Sequence, residues 1–309
     1  MVTTLAERPN RQEPTNVGRG ALRDYIQLAK PRIVTLLIFT TVTAMVVAAQ
    51  GRAIPLVTLL ATVIGGAMAA GGASALNQYL DRDMDKQMSR TKNRPIPAGR
   101  VAPRYALIYG ILLVTVSVFV LGIFVNWLAA SLALLGALYY VVLYTILLKR
   151  NTVLNILIGG GAGAIPVLVG WAAVAGTLEP GAFVLFSIVF YWTPPHSWAL
   201  ALLVNADYAR ANVPMMPVAR GADAARVQIL LYSLQLVALS ILPVPFRIAS
   251  WFYLIAALLL GSGMIYESVR LLNEKSGAAA KRTYKYSTFY LALLFLALIV
   301  DQLFLRVRL

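Results

Sequence analysis

Residues 54–80 read IPLVTLLATVIGGAMAAGGASALNQYL and contain no charged side chain. A helix needs about 20 consecutive apolar residues to cross the hydrocarbon core of a bilayer, and this run exceeds that length. Asp81, Asp83 and Asp85 follow it directly. The stretch therefore predicts a transmembrane helix with a cluster of carboxylates at its C-terminal end.

Similar apolar runs recur along the whole 309-residue chain. They predict nine transmembrane helices, near 31–49, 54–80, 103–124, 127–148, 152–174, 179–204, 226–246, 249–272 and 284–305. The connections after the second and sixth helices, at about 81–102 and 205–225, are long and polar, and the others are short.

These runs predict an all-α fold, that of a polytopic membrane protein. Hydrophobic residues make up 60% of the chain and charged residues 13%, against roughly half and a quarter in a soluble domain. This composition excludes a soluble globular enzyme, and the strands of an outer-membrane barrel would alternate over segments of about ten residues. We expect a polar N-terminal tail at 1–30 and a single integral-membrane domain at 31–309.

The basic residues are distributed unevenly between the two sides of the membrane. Lys and Arg number 27 against 12 acidic residues. Twenty-three of the 27 lie in the N-terminal tail, in the loops after even-numbered helices or at the adjoining helix ends, and the other four are Arg52, Arg247, Arg306 and Arg308. Basic loops face the cytoplasm, so we expect a plasma-membrane protein with its N-terminus inside and its C-terminus outside. The lipid bilayer explains the excess charge, and no nucleic-acid partner is expected.

Asn77, Asp81 and Asp85 are spaced four residues apart, so they share one face of a helix, whereas Asp83 points elsewhere. A solvated helix end is the alternative interpretation. However, Asp is unfavourable at a helix C-terminus, and Asn77 lies within the apolar run, where polar groups are costly. An amide and two carboxylates suit Mg²⁺, which shares such ligands with substrate phosphates. We therefore predict Asn77, Asp81 and Asp85 as catalytic, metal-binding residues.

The following loop brings Arg90, Lys92 and Arg94 close to these carboxylates in sequence. Cations beside Mg²⁺ are what a diphosphate leaving group requires. Ordinary positive-inside charge is the alternative for each of the three residues.

The pattern Asn77-x3-Asp81-x3-Asp85, followed by Arg94-Pro95, resembles the first Asp-rich motif of the UbiA superfamily of intramembrane prenyltransferases. Further stretches resemble its heme-prenylating branch: YTILLKRNTVLN at 144–155, PPHSWALA at 194–201, and Asp207-Tyr208 leading to PMMPV at 214–218. Many members carry a second Asp four residues after the first in the later loop, but here Ala211 stands four residues after Asp207.

The resemblance implies transfer of a farnesyl group from farnesyl diphosphate to a vinyl group of heme B, with Mg²⁺ as cofactor. It implies metal binding by Asp207 in addition to the first motif. It also implies diphosphate binding by Arg90, Lys92, Arg94, Tyr144, Lys149 and Arg150, and a heme pocket at Asn155, His196, Trp198 and Tyr208. Enzymes of heme A maturation are the protein partners that it suggests.

His196 follows Pro194-Pro195, a pair expected to break the sixth helix because proline lacks an N–H group. The ring could contact heme or act as a base, or it could satisfy carbonyls that the prolines leave free. Gly159, Gly160, Gly161 and Gly163 suit close helix packing or a pocket for a flat macrocycle.

Two other functions compete with heme prenylation. A related prenyltransferase would use an aromatic acid or a quinone precursor as acceptor. A transporter would place charges in the middle of its helices, whereas the acidic residues of this chain gather at one membrane face.

Overall fold

The computed structural model describes residues 20–305, and within that range every regular element is a helix. The helices are α1 (Leu22–Leu28), α2 (Pro31–Ala49), α3 (Leu56–Gln87), α4 (Pro103–Phe124), α5 (Trp127–Leu138), α6 (Asn155–Gly159), α7 (Gly161–Ala175), α8 (Pro180–Leu203), α9 (Asn205–Arg210), α10 (Met216–Arg220), α11 (Ala222–Ile241), α12 (Trp251–Glu274) and α13 (Gly277–Val300). Two π-helical segments, Tyr139–Leu148 and Asp301–Leu305, continue α5 and α13. Most of the predicted tail, residues 1–19, lies outside the described range.

The all-α membrane fold is confirmed. In the described range, eight helical segments are long and apolar enough to cross a membrane. The predicted sixth span coincides with α8, but α8 is not among those eight, because its centre carries the polar and proline-rich sequence Pro194-Pro195-His196. The count of nine spans therefore stays a prediction.

Helix α3 extends further than the sequence predicts, to Gln87. Asp81 and Asp85 consequently lie in its last turns, and the connecting loop is shortened to residues 88–102. Cations from other segments pair with both carboxylates and offset the unfavourable helix dipole at this end.

The predicted break in the sixth helix is wrong, because α8 runs continuously through Pro194 and Pro195. A proline inside a helix costs about 3 kcal/mol, which contacts on both sides of the pair offset. The indole N–H of Trp192 donates to the carbonyl of Ser287 on α13 (2.6 Å). Trp198 packs edge-on against Tyr232 of α11.

Small residues let the helices of the first half approach closely. A Cβ atom on Gly72 of α3 would lie 2.7 Å from the carbonyl oxygen of Gly110 on α4. A Cβ atom on Gly170 of α7 would lie 2.1 Å from the carbonyl oxygen of Thr41 on α2. Such small residues are typical of helix contacts in membranes, and here they allow the close packing of α3 on α4 and of α7 on α2.

Helix α1 and the loop after α3 are held together on one side of the bundle. Arg100 pairs with Asp24 (2.7 Å), and the hydrogen bond from Arg100 lowers the pKa of Asp24. Ser74 and Gln78 of α3 both donate to the carbonyl oxygen of Leu28, at 3.0 and 2.8 Å. These contacts fix the backbone just before Lys30 against the end of α3.

Candidate active site

The three predicted ligands on α3 are buried on one face of the helix. Asn77, Asp81 and Asp85 are at most 3% exposed, whereas Asp83 is exposed. The amide nitrogen of Asn77 donates to Asp81 Oδ2 (2.7 Å) and to Thr145 Oγ1 (3.1 Å). The spacing of four residues therefore places these groups as predicted.

Asp81 is surrounded by cations from the segment after the π-helix. Lys149 Nζ donates to Asp81 Oδ2 (2.5 Å), and an Arg150 nitrogen lies 3.6 Å from Oδ1. Burial lowers the pKa of Lys149, and the negative charge of Asp81 opposes this. Among the described residues, the buried Oδ1 atom of Asp81 accepts no hydrogen bond.

Asp85 is held by the loop that follows it. A guanidinium nitrogen of Arg94 donates to both carboxylate oxygens, at 3.0 and 2.7 Å. The hydroxyl of Thr91 donates to the backbone carbonyl of Asp85 (3.0 Å). The Arg94 side chain is thus fixed beside the carboxylate face.

Lys30 belongs to this cluster, although the sequence alone indicates only a cation at the end of the N-terminal tail. Its Nζ atom donates to Asn77 Oδ1 (3.1 Å), and its backbone is left-handed (φ 50°). Burial lowers the pKa of Lys30 to about 7, and repulsion from Arg94 and Lys149 acts in the same direction. The sequence feature that could have pointed to Lys30 is its position directly before Pro31, the first residue of the first membrane helix.

The other two predicted diphosphate-binding cations of the loop are less closely engaged. The side chains of Arg90 and Lys92 are exposed, and neither forms an ion pair with an acidic residue of the described range. The structure therefore brings Arg94, Lys149 and Arg150 to the carboxylates, and leaves Arg90 and Lys92 on the loop surface.

Asp207 joins the two long loops. The hydroxyl of Ser89 lies 2.7 Å from both carboxylate oxygens of Asp207, and the backbone N–H of Arg90 donates to it (3.3 Å). Arg210 also pairs with Asp207. The hydrogen bond from Ser89 lowers the pKa of Asp207. The loops after α3 and α8 are therefore in contact on the same face of the bundle.

The residues on α3 fit a Mg²⁺ ion that shares its coordination with a substrate. Within residues 20–305, no group of three His, Cys, Asp or Glu residues is placed to hold a metal by itself. Mg²⁺, however, is usually held by one or two carboxylates together with phosphate oxygens. Asp81 and Asp85 supply two carboxylates, and the buried Oδ1 atom of Asp81, which accepts no hydrogen bond from the described residues, is a hard-oxygen ligand suited to the ion.

Tyr144 and Asn155 lie beside this cluster. Tyr144 stacks on Tyr140 with a centroid distance of 5.5 Å, and its ring lies where a Cβ atom on Gly159 would be, at 2.3 Å. The amide nitrogen of Asn155 donates to the carbonyl of Lys149 (3.3 Å). Asn155 thus supports Lys149, and Gly159 serves close packing.

His196 contacts α13 rather than the carbonyls near the prolines. Its ring stacks on Trp192 (4.3 Å) and lies 4.7 Å from Tyr284, and Nδ1 is 2.8 Å from Ser287 Oγ. The Ser287 hydroxyl donates its only proton to the carbonyl of Tyr284 (2.8 Å). With the Ser287 proton directed to that carbonyl, Nδ1 is the donor to Ser287, and Nε2 of a neutral ring keeps its lone pair for a ligand or a proton.

Trp198 and Tyr208 are buried in one hydrophobic cluster with Met84 and Met88, and Tyr144 packs against it. Tyr284, which touches His196, packs against the same cluster. These predicted pocket residues of the second half therefore lie next to the end of α3.

An apolar cavity of about 190 Å³ opens between α2, α3, α5 and α7. Lys30 and Tyr140 line one end of it, and the rest of its wall is almost entirely aliphatic or glycine. Because Lys30 also contacts Asn77, the cavity begins beside the carboxylates. The arrangement can bind an amphiphile with an anionic head and a hydrocarbon tail.

Comparisons with known proteins agree with this geometry. A sequence model described as the UbiA prenyltransferase family matches residues 37–299. Protoheme IX farnesyltransferase of Gloeobacter violaceus is 48% identical over 306 residues, covering 99% of each chain. Enzymes of the same name from Roseiflexus castenholzii and Chloroflexus aurantiacus are 50% identical over 91% and 92% of this chain. The chain spans only about half the length of these two relatives, 52% and 48%.

Two solved structures share the fold. A structure of digeranylgeranylglyceryl phosphate synthase superposes with a TM-score of 0.75 at 20% identity, covering 91% of this chain and 98% of the other. A UbiA homologue from Archaeoglobus fulgidus bound to GPP and Mg²⁺ superposes with a TM-score of 0.63 at 16% identity, covering 89% and 99%. With the family match extending over most of its length, the chain belongs to the UbiA prenyltransferase family.

Proposed function

We propose that this protein transfers the farnesyl group of farnesyl diphosphate to a vinyl group of heme B, giving heme O and releasing diphosphate. The observation that carries the proposal is the buried pair Asp81 and Asp85, ringed by cations, at the entrance of an apolar cavity. The farnesyltransferases of three bacteria, at 48–50% identity, support the choice of substrates. Membership of a prenyltransferase family argues against the transporter alternative.

The cations would bind the diphosphate head. Lys149 and Arg94 already pair with Asp81 and Asp85, and Lys30 lies on the other side of Asn77. Positive groups held around the leaving group stabilise the negative charge that grows on it as the C–O bond breaks. Arg90 and Lys92, on the loop surface, would assist in capturing the substrate.

Asn77, Asp81 and Asp85 would hold Mg²⁺, as the sequence predicts, and the Mg²⁺ in the A. fulgidus homologue supports this. When bound, the ion supplies charge neutralisation to the departing diphosphate. Asp207 is engaged by Ser89 and Arg210, so a role in metal binding would require it to exchange these partners.

The allylic cation left by the diphosphate would lie between the carboxylates and the mouth of the cavity. Tyr140 lines that mouth and stacks on Tyr144, so a ring face is available to stabilise a cation. The aliphatic wall excludes water and protects the cation from premature hydrolysis.

The acceptor would bind against the aromatic residues of α8 and α13. The terminal vinyl carbon of heme bonds to C1 of the farnesyl group, and water adds to the other vinyl carbon with loss of a proton. With Nδ1 donating to Ser287, His196 Nε2 would accept that proton or contact the heme directly. Trp198 and Tyr208 would form the apolar wall for the macrocycle.

We also propose the topology and partners that this role requires. The protein would be a single domain in the plasma membrane, with its N-terminal tail and both long loops in the cytoplasm and its C-terminus outside. The contact between the loops at Ser89 and Asp207 supports a common side. Enzymes that convert heme O further would be its protein partners.

The acceptor can be identified with membranes that contain this protein and labelled farnesyl diphosphate. We expect label to enter heme B and not a hydroxybenzoate or a quinone precursor. Membranes with the Asp81→Asn variant are the control and should label neither. Transfer to an aromatic acid in preference to heme would support the related prenyltransferase activity instead.

A further inference from the structure

The apolar cavity has a floor that is fixed by helix packing. Its lining on α2 ends at Thr41, and its lining on α7 ends at Val169. The next residue, Gly170, is where the backbones of α2 and α7 touch, since a Cβ atom there would lie 2.1 Å from the Thr41 carbonyl oxygen. The side chains of Thr41 and Val169 line the cavity on the near side of this contact.

The depth of the cavity follows from the helix geometry. Lys30 marks the mouth and Thr41 the floor, and at 1.5 Å per residue of helix they are about 16 Å apart. Three bonds of an extended chain cover roughly 3.4 Å. By this measure a farnesyl main chain is about 13 Å long, a geranyl chain about 8 Å and a geranylgeranyl chain about 17 Å.

From this match we infer that the cavity acts as a length gauge, in which Thr41 and Val169 limit the prenyl donor to three isoprene units. The farnesyl chain fits between Lys30 and the floor, with its diphosphate outside the mouth, beside Lys30 and the carboxylates. A chain with a fourth unit would reach the contact between α2 and α7. This inference rests on the proposed function, since it assigns the donor of that reaction.

Gly163 is the position at which the gauge can be shortened. It lines the cavity, and a Cβ atom on it would meet no other atom within 4 Å. It lies six residues before Val169 on α7, about 9 Å above the floor. A side chain at this position would therefore fill the cavity without displacing protein. About 7 Å would remain between this side chain and the mouth, close to the length of a geranyl chain.

Two variants and one control test the gauge. Gly163→Leu should shorten the cavity, and Thr41→Ala combined with Val169→Ala should deepen it as far as the backbone contact at Gly170, about the length that a fourth isoprene unit lacks. Gly277→Leu is the control, because Gly277 is also a helical glycine whose Cβ would meet nothing within 4 Å, and it lies on α13 outside the cavity. Each purified protein receives heme B and an equimolar mixture of geranyl, farnesyl and geranylgeranyl diphosphates, and mass spectrometry gives the product ratio.

We expect the unmodified protein and Gly277→Leu to select farnesyl. Gly163→Leu should shift the ratio toward geranyl, and the Thr41/Val169 variant toward geranylgeranyl, by about tenfold or more, as when a pocket loses or gains a few methylene groups. Unchanged ratios in both variants would overturn the gauge. If Gly163→Leu does not fold, the Thr41/Val169 variant decides alone.

A failure of the proposed function would look different. The unmodified protein would then form no prenylated heme from any of the three donors. Competition between the three diphosphates for binding would still measure the length preference of the cavity. A preference that shifts in the variants supports the gauge, and one that does not shift contradicts it.

Discussion

Asp81 and Asp85 lie on the buried face of α3, each paired with a cation from another segment, and Asp83 between them is exposed. Replacing either buried carboxylate by an amide removes a negative charge from the proposed metal and diphosphate site. We expect Asp81→Asn and Asp85→Asn each to lower the rate of prenyl transfer by on the order of a hundredfold or more. The measurement is the initial rate per mole of protein inserted in the membrane.

Asp83→Asn is the matched control for both variants. As a surface change it should alter the rate by no more than about twofold. Equal losses at all three positions would contradict the assignment of the site to one face of α3.

His196 is fixed by Ser287 and by the rings of Trp192 and Tyr284. We expect His196→Ala to weaken heme binding by about tenfold, the equivalent of one good hydrogen bond, while farnesyl diphosphate binding is unchanged. Titrations with each ligand give the two dissociation constants. Ser287→Ala, which leaves the ring but frees Nδ1, should have a smaller effect on heme.

If His196 only stabilises α8, the outcome is different. His196→Ala would then lower the unfolding temperature and weaken both ligands together, and His196→Gln would restore both. That pattern would exclude contact between His196 and heme.

At the scale of the elements, the contact between Ser89 and Asp207 couples the loop after α3 to the short helix α9. Hydrogen bonds to a charged group contribute roughly 1.5–3 kcal/mol. We therefore expect Ser89→Ala to increase hydrogen exchange at residues 88–102, measured by mass spectrometry, without changing the Mg²⁺ concentration that gives half-maximal activity.

Asp207→Asn separates a coupling role from a metal-binding role. A change in the Mg²⁺ requirement in this variant, but not in Ser89→Ala, would show that Asp207 binds the metal. Unchanged exchange in both variants would contradict the coupling of the loops.

The elements also show what the sequence could and could not predict. Hydrophobic runs predicted α2 and α4 to the residue, because length and apolarity decide where a membrane helix lies. The spacing of Asn77, Asp81 and Asp85 predicted their common face, because the helical period is local information. The continuity of α8 through Pro194 and Pro195 depends on contacts with α11 and α13. The rule that proline breaks a helix considers only neighbouring residues in the sequence and therefore does not predict it.

The same limit applies to the site. The hydrogen bond from Lys30 to Asn77 joins residues 47 positions apart, and that from Ser89 to Asp207 joins residues 118 apart. Neither pairing leaves a periodic signal in the sequence, so the sequence does not identify Lys30, and for Asp207 the resemblance implies only a metal-binding role.

At the scale of the whole molecule, the distribution of basic residues predicts that both long loops face the cytoplasm. The chain contains no cysteine, so single cysteines can be labelled without background. Ala98 and Ala53 are both exposed and lie on connections at opposite ends of α3. We expect Ala98→Cys in intact cells to be protected from an impermeant thiol reagent, and Ala53→Cys to react with it. The reverse pattern would contradict the topology.

The proposal that this protein transfers a farnesyl group to heme B is tested most directly by measuring farnesylated heme formed by the purified protein. Heme B and farnesyl diphosphate are supplied with Mg²⁺, or with a chelator in its place, and the heme products are identified by mass spectrometry. We expect a hydroxyethylfarnesyl heme that forms with Mg²⁺ and is lost with the chelator and in Asp81→Asn. Absence of this product with Mg²⁺ present, or equal amounts with the chelator, would contradict it.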